Sequence, residues 1–186
     1  MKILSPDFEL NKYGLEARLV REDDAEFIIK LRTSPKAKNF LHYTSPNVNE
    51  QREWIRKYKL REEEGKEYYF IFSRNDVKLG VFRLYNICGD SFTGGSWVFE
   101  DKVPMEYSVA GVLLSLDVAF FQLDMAINDL FDGVNKDNKK VLMFNKMLGV
   151  DFYAKRESAD GVFYVGRLTK ESYEKKRVRL LKIIGF

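Results

Sequence analysis

The 186 residues suffice for one well-filled domain, and a hydrophobic content of 45%, with 15 Phe and 10 Tyr, excludes a disordered protein. The 31 basic and 28 acidic residues nearly cancel, so the net charge of +3 gives no reason to expect a DNA-binding protein. A single cysteine, Cys88, excludes an internal disulfide, and the longest apolar run, near residues 109–116, is too short to span a bilayer. We therefore expect a single domain over residues 1–186, located in the cytoplasm, with no membrane partner.

The first third of the chain predicts one strand followed by two helices. Apolar and charged residues alternate over Leu15–Val20, which is the period of a half-buried strand. The acidic run Glu22–Asp24 favours a helix start, because carboxylates stabilise the positive end of the helix dipole. A second helix is predicted over Glu50–Glu64, with Asn47 or Asn49 as its N-cap.

The middle of the chain is rich in β-branched and aromatic residues. Turn signals at Asn75-Asp76 and Cys88-Gly89-Asp90 separate three β-prone runs, a spacing typical of an antiparallel meander. These runs are Tyr68–Ser73, Leu79–Ile87 and Phe92–Phe99. Apolar residues at helical spacing then predict a helix over Tyr107–Leu123.

The last third predicts a strand, a helix, a hairpin and a C-terminal helix. These elements are Asp129–Val134, Asn138–Leu148, Phe152–Arg156 with Val162–Leu168, and Lys170–Ile184. The complete order is β-α-α-β-β-β-α-β-α-β-β-α. It indicates an α+β fold built on a central mixed, mostly antiparallel sheet that is flanked by helices.

This element order is also that of the GNAT-type acyl-CoA N-acyltransferase fold, and two stretches resemble motifs of that family. Asn138 through Leu148-Gly149 is similar to the family's late helix, which begins near an Asn and ends in Leu-Gly. Arg18–Arg32, followed by Gln51–Ile55, resembles the subgroup of ribosomal-protein and nucleotide-sugar amine acetyltransferases. The resemblance covers nearly the whole chain and implies an N-acyltransferase that uses acetyl-CoA as its co-substrate.

The resemblance also implies where the cofactor binds. In this fold the strand before the long helix splays away from its neighbour, and its free backbone groups pair with the pantetheine arm. Gly94-Gly95 suits a bulge in that strand, and the pyrophosphate is expected at the N-terminus of the next helix. The implied cofactor-binding residues are Trp97, Val98, Phe99, Tyr107, Ser108, Val109, Ala110 and Asn138.

The loop before the long helix departs from the family's glycine-rich pattern. By alignment, Glu106 and Ser108 replace the glycines that let the backbone approach the pyrophosphate closely. Glu106 also repels an anion, so we expect weakened binding of coenzyme A. The alternative interpretation is a GNAT-fold protein that has lost catalysis and serves as a binding or assembly module.

Acetyl transfer to an amine needs a base for the ammonium and an acid for the leaving thiolate. The family often places a Tyr as the acid on the late helix, and Asn145 stands at that position here. Asp90 and His42 are the candidate catalytic residues, with Glu100 and Asp101 as further candidates for the base. The alternative to a catalytic role for the three acids is that each is a solvated charge at a turn or strand end. The alternative for His42 is that it packs in an aromatic loop.

The resemblance implies only that the acceptor is a primary amine. A small-molecule amine, such as an amino sugar linked to a nucleotide, and a protein N-terminus both remain open, with a slight preference for the small molecule. No metal site is expected, and the basic tail around Lys175-Lys176-Arg177 is interpreted as a solvated helix face. We expect a monomer or a homodimer.

The resemblance also leads to two expectations about geometry. Strands Phe92–Phe99 and Asp129–Val134 should be neighbours that diverge at one end, which leaves a groove for pantetheine. Some of the side chains of His42, Tyr43 and Trp54 should face the opening of that groove, in the acceptor pocket.

Overall fold

The computed structural model of the chain describes residues 2–35, 37–38, 40–41 and 43–186. The strands in this part are β1 (Glu9–Lys12), β2 (Leu15–Leu19), β3 (Tyr68–Arg74), β4 (Val77–Cys88), β5 (Ser91–Phe99), β6 (Ile127–Asn135), β7 (Asp151–Ser158) and β8 (Gly161–Thr169). The α-helices are α1 (Ala25–Arg32), α2 (Val48–Glu63), α3 (Met105–Asp117), α4 (Lys139–Leu148) and α5 (Lys170–Ile183). None of the helices in the described ranges is long and apolar enough to cross a bilayer.

The described strands form one sheet in the order β1-β2-β3-β4-β5-β6-β8-β7. Only the β5–β6 pair among them is parallel, and the other neighbours are antiparallel. The prediction of a mixed, mostly antiparallel sheet flanked by helices is therefore confirmed. Helices α1 and α2 cover one face of the sheet, while α3, α4 and α5 pack on the opposite face.

Every predicted strand and helix is present, although several ends differ from the prediction. Asn47 is the N-cap of α2, because its side chain accepts hydrogen bonds from the N–H groups of Asn49 and Glu50. The long helix begins at Met105 rather than Tyr107, and its last part, Val118–Gln122, is a π-helical turn.

Strand β1 is the one described strand that the sequence pattern did not predict. Its four residues, Glu9–Lys12, contain a single large apolar side chain, so the alternation that identifies a strand is absent. It pairs with β2 through a tight turn at Tyr13-Gly14, where both residues have positive φ.

Strands β5 and β6 pair only at their beginnings, through Ser91 with Ile127 and Phe92 with Asn128. Beyond these pairs β5 continues along β4 to Phe99, while β6 continues along β8 to Asn135. We call the resulting opening between Gly94–Phe99 and Asp129–Asn135 the cleft. The prediction that these strands diverge is confirmed.

Strand β5, which forms one wall of the cleft, contains a β-bulge. Arg83 of β4 pairs with Gly95, but Val81 pairs with Val98, so β5 contains one extra residue between these pairs. Ser96 takes a positive φ of 51° at this place. The bulge predicted for the Gly94-Gly95 region is thus present immediately after the two glycines.

Candidate active site

The side chain of Asn128 closes the apex of the cleft. Its Oδ1 accepts a hydrogen bond from the backbone N–H of Gly94 at 2.9 Å, where a continued ladder would have offered a backbone carbonyl. Asn128 is buried, and a Cβ atom on Gly94 would lie 3.3 Å from its Nδ2 atom. The strands therefore separate at a place where a side-chain amide replaces a backbone partner.

Two residues of β5 direct their backbone groups into the cleft. The N–H of Glu100 donates to the carbonyl of Leu79 on β4 at 2.8 Å, and successive residues of a strand direct their backbone groups to opposite sides. The backbone groups of Phe99 and Trp97 consequently point toward the cleft, whereas those of Val98 point toward β4. Phe99 and Trp97 can pair with an extended arm as an added strand would.

The indole of Trp97 connects β5 to the helices beneath the cleft. Its Nε1 donates to the hydroxyl oxygen of Ser108 on α3 at 2.9 Å. Its ring lies 4.8 Å from the ring of Phe144 on α4, measured between centroids. Trp97 and Ser108, which were both predicted to bind cofactor, therefore form a wall of the cleft on the α3–α4 side.

The N-terminus of α3 lies two residues earlier than predicted, which changes the expected anion site. The N–H groups of Tyr107 and Ser108 both point to the carbonyl of Pro104, at 3.1 and 3.4 Å. Val109 and Ala110 are buried one turn further along, where helical N–H groups bond within the helix. The helix start at Met105 therefore does not favour their predicted role as backbone donors to a pyrophosphate, which stays a prediction.

The backbone donors that remain at this helix end belong to Met105 and Glu106. Both residues are exposed in the first turn, and among the described residues neither N–H has a hydrogen-bond acceptor. The side chain of Tyr107 turns away, since its hydroxyl accepts from Arg74 and its ring packs on Phe186. The helix end can thus bind an anion through its first two amides.

Glu106 places a negative charge at this anion site, so we expect Glu106→Gln to tighten coenzyme A binding. A charge at a helix terminus contributes ~0.3–1 kcal/mol, which corresponds to a gain of about two- to five-fold in affinity. Titration calorimetry at low salt measures the gain in affinity. The gain should shrink in 0.5 M salt because salt screens the charge of Glu106, and the Debye length falls to about 3 Å at 1 M.

Glu171→Gln is the matched control, because Glu171 lies in the first turn of α5 and pairs with Lys175 away from the cleft. It should leave the affinity unchanged. Equal affinities for wild type and Glu106→Gln at low salt would contradict a pyrophosphate at the start of α3.

The other predicted site residues lie at the edges of the cleft or outside it. Asn138 caps α4, and its Oδ1 accepts from the N–H of Val141 at 3.4 Å. Asp90 is exposed in the turn at the closed end, where its carbonyl accepts from the N–H of Ala126 at 2.7 Å. Asp90 stays a prediction as the base, but its position at the closed end does not favour it.

The remaining candidate acids, Glu100 and Asp101, lie beyond the end of β5 and not at the apex of the cleft. Glu100 forms an ion pair with Lys30 at 2.5 Å, and Asp101 is exposed in the loop before α3. His42 lies outside the described residues, so its proposed role stays a prediction.

Tyr43 and Trp54 have different surroundings, and their place at the opening of the groove stays a prediction. The side chain of Tyr43 is 87% exposed. Trp54 stacks on Tyr58 with ring centroids 5.8 Å apart, and the guanidinium of Arg83 lies 5.2 Å from its ring. Trp54 is therefore part of the packing between α2 and the sheet.

Asp129 is a site residue that the sequence analysis missed. It is the first residue of β6 beyond the last pair with β5, and Leu130 after it is buried in the core on the side of the sheet that α3, α4 and α5 cover. Because successive side chains of a strand alternate, Asp129 faces the α1–α2 side of the sheet. An acidic residue inside a run predicted as a buried strand was the available signal.

Tyrosine hydroxyls accompany Asp129 on that face. The ring of Tyr85 lies over Gly95, with its hydroxyl 3.1 Å from where a Cβ atom would stand. Burial raises the pKa of Tyr85, so the hydroxyl keeps its proton at neutral pH. Tyr69 is fully buried, and burial raises its pKa in the same way. The face of the sheet that carries Asp129 therefore also carries neutral tyrosine hydroxyls.

The chain is similar over nearly its whole length to a solved acetyltransferase structure. Apo FdhC, a nucleotide-linked sugar GNAT, is 32% identical, with a TM-score of 0.79 over 96% of this chain and 99% of that one. The chain belongs to the GNAT family. This GNAT is accordingly an N-acetyltransferase, of a family whose acyl donor is an acyl-CoA.

More distant structures share the same fold. RimJ of Mycobacterium smegmatis, solved in complex with CoA-disulfide, is 16% identical, with a TM-score of 0.79 over 97% of this chain and 95% of that one. A spermidine N-acetyltransferase SpeG variant from Vibrio cholerae is 15% identical, with a TM-score of 0.73 over 87% of this chain and 97% of that one. No protein-family model and no curated protein matches the sequence.

Proposed function

We propose that this GNAT transfers the acetyl group of acetyl-CoA to the amino group of a nucleotide-linked amino sugar. The observation that carries the proposal is the cleft, because β5 leaves β6 immediately after Phe92. The backbone groups of Trp97 and Phe99 would bind the pantetheine arm, and the amides of Met105 and Glu106 would bind the pyrophosphate.

The acceptor class is supported by the similarity to FdhC, which is itself described as a nucleotide-linked sugar GNAT. A cavity of about 370 Å³ adds an independent argument from charge. Arg61, Lys66 and Arg83 line it together with the single acid Glu67 and with Tyr85. Arginine and lysine are the side chains that bind phosphate groups, so this lining suits a diphosphate.

Glu67 holds the two arginines of this cavity in place. It accepts from the Nε atoms of Arg61, at 2.8 Å, and of Arg83. The guanidinium of Arg83 also lies 4.9 Å from the ring of Tyr85. The planar end of Arg83 is thus fixed by a carboxylate and an aromatic ring, which favours two-pronged binding of a phosphate.

The cavity and the apex of the cleft lie within reach of one substrate molecule. Tyr85 lines the cavity on β4, and Asp129 stands on β6, with only β5 between the two strands. Neighbouring strands are about 4.8 Å apart, so roughly 10 Å separates the two positions. That distance matches a sugar ring and its adjoining phosphate, with the amine at the apex and the phosphates near Arg83.

An acceptor panel tests the proposal directly. Purified protein and acetyl-CoA are offered nucleoside diphosphate-linked amino hexoses, the same amino hexoses without the nucleotide, and peptides with free N-termini. Thiol release and product mass are recorded. We expect transfer to the nucleotide-linked sugars, with kcat/KM at least about ten-fold above that for the free sugars, since one lost charged contact corresponds to ~1.5–3 kcal/mol.

Transfer only to the peptides would establish a protein N-terminus as the acceptor instead. Binding of coenzyme A without transfer to any amine would favour the catalytically degenerate module.

Arg83→Lys is expected to raise KM for the nucleotide-linked sugar about ten-fold and to leave KM for acetyl-CoA unchanged. Lysine keeps the charge next to Glu67, but it lacks the planar fork and the stacking on Tyr85. Arg56→Lys is the control, since Arg56 is an exposed arginine of α2 paired with Glu22. If both variants had the wild-type KM for the nucleotide-linked sugar, the cavity would not be part of the acceptor site.

A further inference from the structure

We infer that Asp129 binds the ammonium group of the acceptor and removes its proton before acetyl transfer. The inference rests on the proposed function, and it assigns the base that the family motifs do not identify in this chain. Asp129 directly follows Asn128, whose side chain closes the apex by accepting from the Gly94 N–H. It therefore stands where the two walls of the cleft begin to separate, on the α1–α2 side of the sheet.

One oxygen of Asp129 lacks a partner. Its Oδ1 is shielded from solvent and, within the described part of the chain, has no hydrogen-bond donor. A carboxylate oxygen removed from water without a donor is unfavourable, and buried oxygens of this kind normally have one. An unpaired atom at the apex of a substrate cleft indicates a place for a donor that arrives with the substrate.

The nearest cation along the sheet does not supply that donor. Arg167 on β8 is the direct cross-strand partner of Asp129. Its guanidinium instead lies 5.0 Å from the ring of Tyr153, and the described residues include no ion pair between Arg167 and Asp129. An acceptor ammonium, with three N–H donors and a positive charge, fits the unpaired oxygen.

Other acids near the cleft have different environments. Glu100 is neutralised by Lys30, and Asp90 is exposed at the closed end. Asp132 lies in the part of β6 that loops out between its pairs with β8, and its side chain is exposed. Asp129 alone among these four described acids combines the apex position with a buried, unpaired oxygen.

The proton and electron balance of the step is simple. Asp129 takes one proton from the ammonium, which frees the nitrogen lone pair to attack the thioester carbonyl carbon. The C–N bond forms, the C–S bond breaks, and the sulfur leaves with the bonding electron pair. The second nitrogen proton goes to the thiolate, and Asp129 releases its own proton to water, so that the N-acetylated sugar and free coenzyme A are produced.

The decisive comparison is Asp129→Asn against wild type with a nucleoside diphosphate-linked amino hexose, over pH 6.5 to 9.5. We expect kcat/KM at pH 7 to fall about 10²- to 10⁴-fold, the usual range for a general base. The ratio of wild-type to variant kcat/KM should fall at least ten-fold between pH 7 and pH 9.5, because at high pH the acceptor loses its proton to solvent and no longer needs the base. A merely structural role would give a deficit that does not change with pH.

Asp129→Glu and Asp160→Asn are measured alongside Asp129→Asn. The affinity of each variant for coenzyme A, measured by calorimetry, verifies that it folds. Asp129→Glu keeps a carboxylate and should recover at least about ten-fold of the lost rate, whereas Asp160→Asn, in the exposed β7–β8 turn, should equal wild type. Wild-type rates for Asp129→Asn, or a pH-independent deficit, would overturn the inference while the proposed function stands. Absence of transfer by wild type to every amine would overturn both.

Discussion

Asp117→Asn is expected to destabilise the protein by about 3 kcal/mol, the lower end of the range for a broken buried ion pair, because it removes the one charge that the buried Tyr173 and three partly buried donors share. Asp117 ends α3 and is 3% exposed. It accepts hydrogen bonds from Lys12 Nζ and the Tyr13 hydroxyl, both at 2.6 Å, and from the Tyr173 hydroxyl at 2.8 Å. Arg177 completes the cluster through Nε at 2.5 Å and Nη2 at 2.9 Å.

The cluster ties three elements that are distant in the sequence. Lys12 and Tyr13 belong to the β1–β2 hairpin, and Tyr173 and Arg177 belong to α5. An asparagine supplies one acceptor oxygen and no charge, so the guanidinium and the ammonium would lose their counter-ion in a partly buried place. Urea unfolding followed by circular dichroism measures the loss of free energy of unfolding.

Asp124→Asn is the matched control, since Asp124 is exposed and pairs with Lys170 at the surface. Surface pairs of this kind contribute about 0–1 kcal/mol. Equal stabilities of the two variants would contradict the importance of the buried cluster.

The pH dependence of stability gives a second readout of the same residue. Burial by itself would raise the pKa of Asp117, but hydrogen bonds from Arg177, Lys12, Tyr13 and Tyr173 outweigh it and lower the pKa below the ordinary 3.8. The stabilisation is therefore fully present above that ordinary value and is lost as the pH falls further, through the pKa of the folded state. Asp117→Asn should lack this part of the acid dependence.

Gly80→Ala is expected to destabilise the protein by about 1–3 kcal/mol and to weaken coenzyme A binding, because it displaces a ring that supports the cleft. A Cβ atom on Gly80 would lie 2.3 Å from Cγ of Phe99, and one on Gly111 would lie 2.6 Å from Cζ of the same ring. Phe99 also stacks on Phe72, with centroids 5.5 Å apart. The ring thus fills the space between β4 and α3 that two glycines leave.

A double-mutant cycle with Phe99→Leu tests that explanation. The smaller side chain makes room for the new methyl group, so Gly80→Ala should be less harmful in the Phe99→Leu background than in wild type. Additive losses in stability would contradict steric displacement of Phe99. Calorimetric titration with coenzyme A shows whether the end of β5 moves, since Phe99 also directs its backbone into the cleft.

The order of elements could be predicted because each element has its own local signal. Alternation over Leu15–Val20 and the turns at Asn75-Asp76 and Cys88-Gly89-Asp90 identified strands, and helical spacing identified α3 and its neighbours. The resemblance of this order to that of the GNAT fold then implied diverging strands, which the pairing of β5 and β6 confirms. These signals depend on residues close together in the chain.

The start of α3 was predicted less well for a local reason. Val103-Pro104 precedes the helix, and Pro104 lacks the side-chain oxygen that identifies an N-cap in sequence. The placement of Val109 and Ala110 at the anion site followed from that error. The glycines expected at the family's loop were absent, so nothing in the sequence corrected it.

The sequence by itself determined the order of strands and helices, because periodicity and turn residues act over a few positions, and its resemblance to the GNAT family implied the neighbouring strands that bound the cleft. Only the tertiary structure decided which acids meet the cleft. Asp90, Glu100 and Asp129 are all acids near strand ends in the sequence, but their environments differ. Asp90 is exposed to solvent at the closed end, Glu100 is paired with Lys30, and Asp129 has an unpaired buried oxygen. Those environments come from residues on other strands and helices, and contacts between distant segments leave no local pattern in the sequence.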